Sequence, residues 1–300
     1  MFGLRPLWRR SWPAGVAAAC LAVLGGSAMA IDLTPLWDHA QPAVSEERFR
    51  AALGTASGDD ALVLRTQIAR TWGIRREFDK AREMLDGLRP EIDRAGVEPR
   101  VRWQLEWGRT WVSATHAPPQ RTPEALAQAR AAYAQALDMA QAAGLDGLAV
   151  DAVHMMAFVD TAPADQLKWN ERGLAIARAS RQPAASAWEA SLRNNQGVAL
   201  KELGRLDDAL AEFHQALVLR EAQGQVRGIR IAHWMIAWTL RAMGRLDEAR
   251  ETQLRLEREW DADGQPDPYV FEELQAIYQA QGNEARARHY AERHRTSRTP

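Results

Sequence analysis

Cysteine, lysine and strand-forming runs are scarce in this sequence. Its 300 residues include one cysteine, Cys20, and three lysines, Lys80, Lys168 and Lys201. Runs rich in Val, Ile and Thr, which favour strands, are almost absent, whereas the helix formers Ala, Leu, Arg, Gln and Glu recur throughout. This composition excludes a β-rich fold and predicts an all-α protein.

The sequence also lacks a charge excess of either sign, with 38 basic residues against 39 acidic ones. Binding to nucleic acid needs a concentrated basic face, so we expect no nucleic-acid partner. Recognisable catalytic motifs are missing as well, because there is no HExxH, no glycine-rich phosphate loop and no GxSxG. None of the seven histidines pairs with another at the spacing of helical metal ligands. We therefore predict no catalytic residues, no metal site and no cofactor.

The first thirty residues have the composition of an export signal. They begin with the basic residues Arg5, Arg9 and Arg10, followed by an apolar stretch at residues 14–24. Ala28 and Ala30 are the small residues of a signal-peptidase site. The apolar stretch is too short for a permanent membrane span. We predict cleavage after Ala30, a periplasmic or secreted mature chain beginning at Ile31, and no stable membrane insertion.

Two alternatives remain open for this segment. Cys20 follows three alanines and resembles a lipoprotein cysteine, although Ala17 is smaller than the aliphatic residue usual at that position. The RRSW motif at residues 9–12 faintly resembles a twin-arginine signal, but Pro13 is atypical of one. Cleavage after Ala30 removes the only cysteine, which would exclude disulfides and thiol chemistry in the mature chain.

The clearest internal repeat covers residues 192–224. Gly197 lies where two helices can cross closely, and Gly204 can end the first helix because glycine accepts a left-handed conformation. We expect Leu200 and Leu203 on the buried side of this first helix. A second copy covers residues 230–264, in which LRAMGRLDEAR matches LKELGRLDDAL of the first.

The second helix of the clearest repeat carries small residues around one aromatic ring. Ala209, Phe213 and Ala216 are spaced four and three apart, so they share one helix face. Together with the glycine positions, this pattern resembles the tetratricopeptide repeat family, whose fold is a stack of antiparallel helix pairs. Four weaker copies cover residues 59–88, 97–144, 147–180 and 268–294.

The resemblance implies an α-solenoid of about six antiparallel helix pairs, a tetratricopeptide-like superhelix, over residues 59–294. Equivalent positions recur every 37 to 48 residues, longer than the usual period of about 34. Residues 31–58 are expected to cap the first pair, with a helix that Ser45 can cap and that has Glu46 and Glu47 in its first turn. Thr122 is expected to cap a helix after an insertion, and residues 295–300 are expected to form a flexible tail.

In this family the first helix of each pair lines the concave ligand groove. The resemblance therefore implies a binding groove formed by His154, Phe158, Asn194, Val198, Lys201, Trp234, Trp238 and Arg241. An aromatic stripe at helical spacing is more often core than ligand platform, so we expect Trp103, Trp107 and Trp111 to be buried. For Trp234 and Trp238 both interpretations remain open.

These observations predict a non-enzymatic interaction scaffold of the cell envelope that holds a peptide or protein segment of unknown identity. An alternative is a small-molecule binding or sensing module for a saccharide or peptide fragment, because tryptophans can stack on sugar faces and the chain has 12 of them. A third hypothesis, an enzyme without a recognisable motif, has no residue to support it.

Overall fold

The computed structural model describes residues 31–297 of the chain. The predicted export signal, including Cys20 and the RRSW motif, lies outside the described residues, as do residues 298–300. Within the described range, no helix is both long and apolar enough to cross a membrane.

Residues 31–297 fold into fourteen α-helices joined by short connections. The helices are α1 (Pro42–Leu53), α2 (Gly58–Ile74), α3 (Phe78–Ile92), α4 (Val97–Trp111), α5 (Pro123–Ala142), α6 (Asp146–Met156), α7 (Pro163–Ala179), α8 (Pro183–Ser186), α9 (Glu189–Glu202), α10 (Leu206–Ala222), α11 (Val226–Ala242), α12 (Leu246–Ala262), α13 (Pro268–Ala280) and α14 (Glu284–Ser297). Two short 3-10 turns, Thr34–Leu36 and Pro118–Gln120, complete this part of the chain.

Twelve of these helices form six antiparallel pairs that pack in chain order: α2–α3, α4–α5, α6–α7, α9–α10, α11–α12 and α13–α14. In each pair we call the earlier member the first helix and the later member the second helix. The helix α1 packs against α2, ahead of the first pair. The predicted all-α fold of about six antiparallel pairs is confirmed.

Close crossings between paired helices depend on glycine. A Cβ atom on Gly197 of α9 would lie 2.6 Å from the ring of Phe213 on α10, and one on Gly108 of α4 would lie 2.4 Å from the ring of Tyr133 on α5. Both rings are fully buried. The expected crossing at Gly197 is therefore confirmed, and the same arrangement recurs two pairs earlier.

The helix ends agree with the sequence at two positions and differ at a third. Thr122 accepts a hydrogen bond from the Ala125 N–H and caps α5, and Gly204 adopts φ +76° after α9, both as predicted. The expectation that Ser45 caps a helix is wrong, because α1 already begins at Pro42 and Ser45 lies within it. Proline suits a first helical turn, and the Ser45 hydroxyl instead bridges the backbone of Asp38.

Three further details differ from the sequence-based expectations. Leu203 is 41 % exposed rather than buried, because α9 ends one residue earlier and the chain leaves the helical face before Gly204. The single-turn helix α8 between the third and fourth pairs had not been predicted. The last helix continues to Ser297, so the first three residues of the expected tail are helical.

Candidate binding groove

The eight predicted groove residues lie on three first helices or directly after them, and all are half-buried. They are distributed as His154 on α6 and Phe158 just after it; Asn194, Val198 and Lys201 on α9; and Trp234, Trp238 and Arg241 on α11. Their apolar neighbours on the same helices, such as Leu200 and Leu240, are buried in the pair cores. These eight side chains therefore border the surface rather than fill the core, and we call them the first-helix surface.

Around α6 this surface is organised by His154. Its ring contacts those of Phe158 and Trp188, with centroids 5.2 and 5.1 Å away, and its Nδ1 lies 3.4 Å from the side-chain nitrogen of Asn195. Burial lowers the pKa of His154 below its usual 6.5, although Asp151 opposes this shift. A neutral imidazole packed among rings and an amide acts as a hydrogen-bonding group, as expected from the sequence.

Asn194, which precedes Asn195 on α9, has a side-chain oxygen without a hydrogen-bond partner among residues 31–297. Its side-chain oxygen is buried and accepts no hydrogen bond from the described residues. A buried acceptor without a partner is costly. Asn194 thus carries an unpaired acceptor beneath the first-helix surface, while the side chain of the neighbouring Asn195 contacts His154.

Between α9 and α11 the surface becomes aromatic and cationic. The Lys201 ammonium lies 3.5 Å from the ring centroid of Trp238, and this ring stacks on Trp234 at 5.7 Å with an interplanar angle of 23°. Burial and the nearby Arg241 lower the pKa of Lys201. Arg241 itself donates two hydrogen bonds to Glu273 on α13, at 2.7 and 2.8 Å. These contacts hold three first helices side by side.

Three depressions border the first-helix surface. One of about 160 Å³ lies between α6, α7 and α9, beside His154 and Val198. A second of about 210 Å³ lies between α2, α4 and α6, with Arg70 and Arg109 in its wall. The third has about 370 Å³ and lies beside Trp234. Four of the eight predicted residues line these three depressions: His154 and Phe158 line the first two, Val198 the first and Trp234 the third. Asn194, Lys201, Trp238 and Arg241 do not line them, so the structure does not join the eight residues into one cavity.

The second depression contains an ionic cluster that sequence reasoning missed. Arg109 on α4 donates hydrogen bonds to Glu106 and to Asp151 on α6, and Arg70 on α2 lies 3.8 Å from Glu106. Burial alone lowers the pKa of Arg109, but Asp151 and Glu106 outweigh it and raise the pKa. Glu106 and Arg109 were detectable as a pair three residues apart on one helix, but their partners on α2 and α6 were not.

The three tryptophans of α4 differ in burial. Trp103 is buried, as predicted, and its Nε1–H donates to the carbonyl oxygen of Leu85 at 2.7 Å. Trp107 and Trp111 are half-buried instead, and the guanidinium of Arg82 covers the ring of Trp111 at 4.7 Å. The stripe therefore turns gradually out of the core, because a four-residue repeat drifts around a helix with 3.6 residues per turn.

Metal-ligand geometry is missing from the described residues. Within residues 31–297, no three His, Asp or Glu side chains lie close enough together to hold a metal ion.

Comparisons of the sequence with protein-family models and with curated proteins find no match. The structure, however, is similar to solved helical-repeat structures. It superposes on the apo form of RapI with a TM-score of 0.65 and 12% identity, covering 88% of this chain and 73% of that one. It also superposes on a signal-transduction ATPase with numerous domains and a tetratricopeptide repeat sensor, from Pyrococcus horikoshii. That superposition has a TM-score of 0.62 and 11% identity, and covers 85% of this chain and 39% of the other.

The chain has a tetratricopeptide-like fold. At identities of 11–12% the similarity shows the fold alone. The tetratricopeptide-like superhelix that the residues resembled is thereby confirmed as an architecture.

Proposed function

We propose that the protein is a non-enzymatic interaction scaffold whose first-helix surface binds a protein or peptide segment. The observation that carries this proposal is the half-buried row of Lys201, Trp238 and Trp234 across α9 and α11. Large aromatic side chains that stay partly exposed beside cationic groups are typical of residues that dominate protein interfaces.

The chemistry of this surface suits an extended segment. A peptide presents backbone N–H and C=O groups, and the half-buried side-chain amide of Asn194 is of a type that both donates and accepts hydrogen bonds. Its apolar side chains can be buried against the faces of the tryptophan rings. The depressions beside His154 and Trp234 supply concave positions for such side chains.

We expect the Trp234→Ala/Trp238→Ala variant to lose partners that the wild-type protein captures from envelope extract, because two aromatic contacts are removed together. A fall of about tenfold or more in the recovered partner is expected. The measurement is quantitative mass spectrometry of affinity-purified material.

A matched control changes two exposed residues on a second helix. His214→Ala/Val218→Ala alters α10, where both side chains are exposed, and should recover the same partners as the wild type. Thermal unfolding of all three proteins checks that each is folded. If the tryptophan variant recovers every wild-type partner in the same amount, this surface is not the binding groove.

We also propose that the protein works in the cell envelope, because residues 1–30 combine a basic start, an apolar stretch and small residues in the order of an export signal. Protein purified from the envelope is expected to begin at Ile31, as read by N-terminal sequencing. A lipidated N-terminus at Cys20 would favour the lipoprotein alternative. An intact Met1 in material from the cytoplasm would contradict export.

A second candidate function, small-molecule binding, is favoured by the depression beside Trp234. Its volume of about 370 Å³ lies within the range of about 300–1,000 Å³ typical of small-molecule sites. Aromatic rings and polar side chains around one cavity also suit a saccharide. The two candidates make opposite predictions for peptide and saccharide probes.

A further inference from the structure

The stacked tryptophans of α11 lie between two cations that lack an acidic partner. Lys201 covers the ring of Trp238 at one end, and Arg227 lines the depression beside Trp234 at the other. Among residues 31–297, neither cation forms a hydrogen bond or ion pair with a carboxylate. Arg227, Ile231, Trp234 and Trp238 follow one another at spacings of four, three and four, which places them on one face of α11. We call this face, with Lys201, the tryptophan strip.

The depression at the Arg227 end of the strip has mainly apolar walls. Ile231 and Trp234 of α11, Trp260 of α12 and Tyr269 of α13 line it. The Nε1–H of Trp234 donates to the carbonyl oxygen of Tyr269 at 3.1 Å, so the polar atom of this ring is already satisfied. Tyr269 is 63 % exposed at the edge of the depression. An apolar side chain inserted here would cover surface that now faces water.

Most carboxylates near the strip are already paired. Arg241 forms an ion pair with Glu273, and Arg230 forms one with Asp263 at 2.6 Å. The guanidinium of Arg230 also lies 4.5 Å from the ring centroid of Trp260. Asp267, the remaining acid in the wall, accepts the N–H of Tyr269 and caps α13. Asp267 keeps its negative charge at the rim of the depression, because a cap on an N–H does not neutralise it. Within residues 31–297, Lys201 and Arg227 are the cations of the strip that bond no carboxylate directly, although Glu273 and Glu202 act on Lys201, and such cations attract acidic groups.

The length of the strip sets the length of its ligand. Arg227 and Trp238 are eleven residues apart on one helix, which corresponds to about 16 Å at 1.5 Å per residue. An extended chain advances about 3.3 Å per residue. A segment of about five residues is therefore long enough to place one group at each cation and one side chain in the depression.

We propose that the tryptophan strip binds an acidic peptide segment of about five residues that carries one large apolar side chain. The apolar side chain enters the depression between Trp234, Trp260 and Tyr269, and flanking carboxylates pair with Lys201 and Arg227. This inference rests on the proposed function, for which it specifies the chemistry of the partner.

The test uses four probes that contain no tryptophan: the acetylated and amidated peptides EEFEE, EESEE and KKFKK, and cellohexaose. Binding to the protein without residues 1–30 is measured by calorimetry and by quenching of tryptophan fluorescence. We expect EEFEE to bind about tenfold or more tighter than each other probe at about 50 mM salt, and to weaken as salt screens the charges. Equal affinities for EEFEE and EESEE would contradict the proposal that an apolar side chain enters the depression.

Charge reversal supplies the sharper comparison. Arg227→Glu changes an exposed side chain and should weaken EEFEE about tenfold while strengthening KKFKK. Arg288→Glu, which makes the same charge change at an exposed position of α14, is the matched control and should leave both affinities unchanged. If Arg227→Glu and Arg288→Glu have the same affinities for EEFEE and KKFKK, the tryptophan strip does not distinguish ligands by charge and the proposal fails.

The outcomes separate this inference from the function on which it rests. If the Trp234→Ala/Trp238→Ala variant loses envelope partners but EEFEE binds no tighter than KKFKK, the interaction surface stands and the acidic specificity falls. If EEFEE binds as expected but that variant keeps every envelope partner, the strip is acid-specific and the wider scaffold function falls. Preferential binding of cellohexaose, lost in the tryptophan variant, overturns this inference in favour of a saccharide site.

Discussion

Replacing Arg109 by methionine is expected to lower the free energy of unfolding by about 3–5 kcal/mol, the usual cost of leaving a buried charge without its partner. Arg109 lies between Glu106, which is 2 % exposed, and Asp151, and bonds both. Methionine fills a similar volume but carries no charge. Urea denaturation at pH 7, followed by circular dichroism, measures the loss.

The loss should depend on pH in a defined direction. Burial raises the pKa of Asp151, but Arg109 and Arg70 outweigh it, so the folded-state pKa lies below the usual 3.8. In the wild type this carboxylate therefore stabilises the fold above its unfolded pKa, and the contribution disappears as pH falls through the lower folded value. Without Arg109, Arg70 alone opposes much of the burial effect, so we expect the folded pKa of Asp151 to rise and the loss of stability to shrink as pH falls. The difference between the two proteins should be largest at pH 7 and smaller near pH 4.

Two controls separate a buried from an exposed ion pair. Arg245→Met removes the partner of Glu248, where both groups are exposed, and should leave the denaturation midpoint almost unchanged. The quadruple variant Arg70→Met/Glu106→Gln/Arg109→Met/Asp151→Asn removes all four charges of the cluster and should be more stable than Arg109→Met alone. A loss that is equal for Arg109→Met and Arg245→Met, or that does not vary with pH, would contradict the assigned role of the cluster.

The helix pairs were predictable because each pair repeats a local pattern. Gly197 allows the helix crossing, Gly204 ends α9, and Phe213 fills the gap between the paired helices. These three residues lie within about twenty residues of chain, so their spacing in the sequence is enough to predict the pair. Positions where a helix begins depend on competing local signals, which explains why the proline at residue 42 displaced the expected cap at Ser45. The exposure of Leu203 likewise depends on where α9 stops, which a spacing rule does not specify within one residue.

The site was predictable only in part, because its chemistry combines groups from different pairs. The spacing of Trp234 and Trp238 indicated a shared face, but the walls supplied by Trp260 and Tyr269 come from α12 and α13. The cluster around Arg109 joins α2, α4 and α6 in the same way. Helical periodicity relates residues three or four apart, whereas contacts between stacked pairs need the structure.

Replacing Gly197 by alanine is expected to destabilise the protein by about 1–3 kcal/mol, although alanine favours helices by about 1 kcal/mol over glycine. The added Cβ would lie 2.6 to 2.8 Å from three ring atoms of Phe213, closer than van der Waals contact allows. Gly87→Ala in α3 is the matched control, because a Cβ there meets nothing within 4 Å, and it should stabilise the protein by about 0.5–1 kcal/mol. The two substitutions therefore differ in sign, and thermal or urea denaturation of both variants measures the difference.

A second substitution identifies the contact responsible. Phe213→Leu alone should destabilise the core by leaving space, but in the Gly197→Ala background the smaller side chain makes room for the new methyl group. The double variant is therefore expected to be more stable than the sum of the two single losses predicts, and a double-mutant cycle measures that coupling. Additive losses would mean that the α9–α10 crossing relaxes elsewhere. Because Asn194 and Lys201 lie on α9, such a relaxation would also move the first-helix surface, and a changed peptide affinity of the folded Gly197→Ala variant would reveal it.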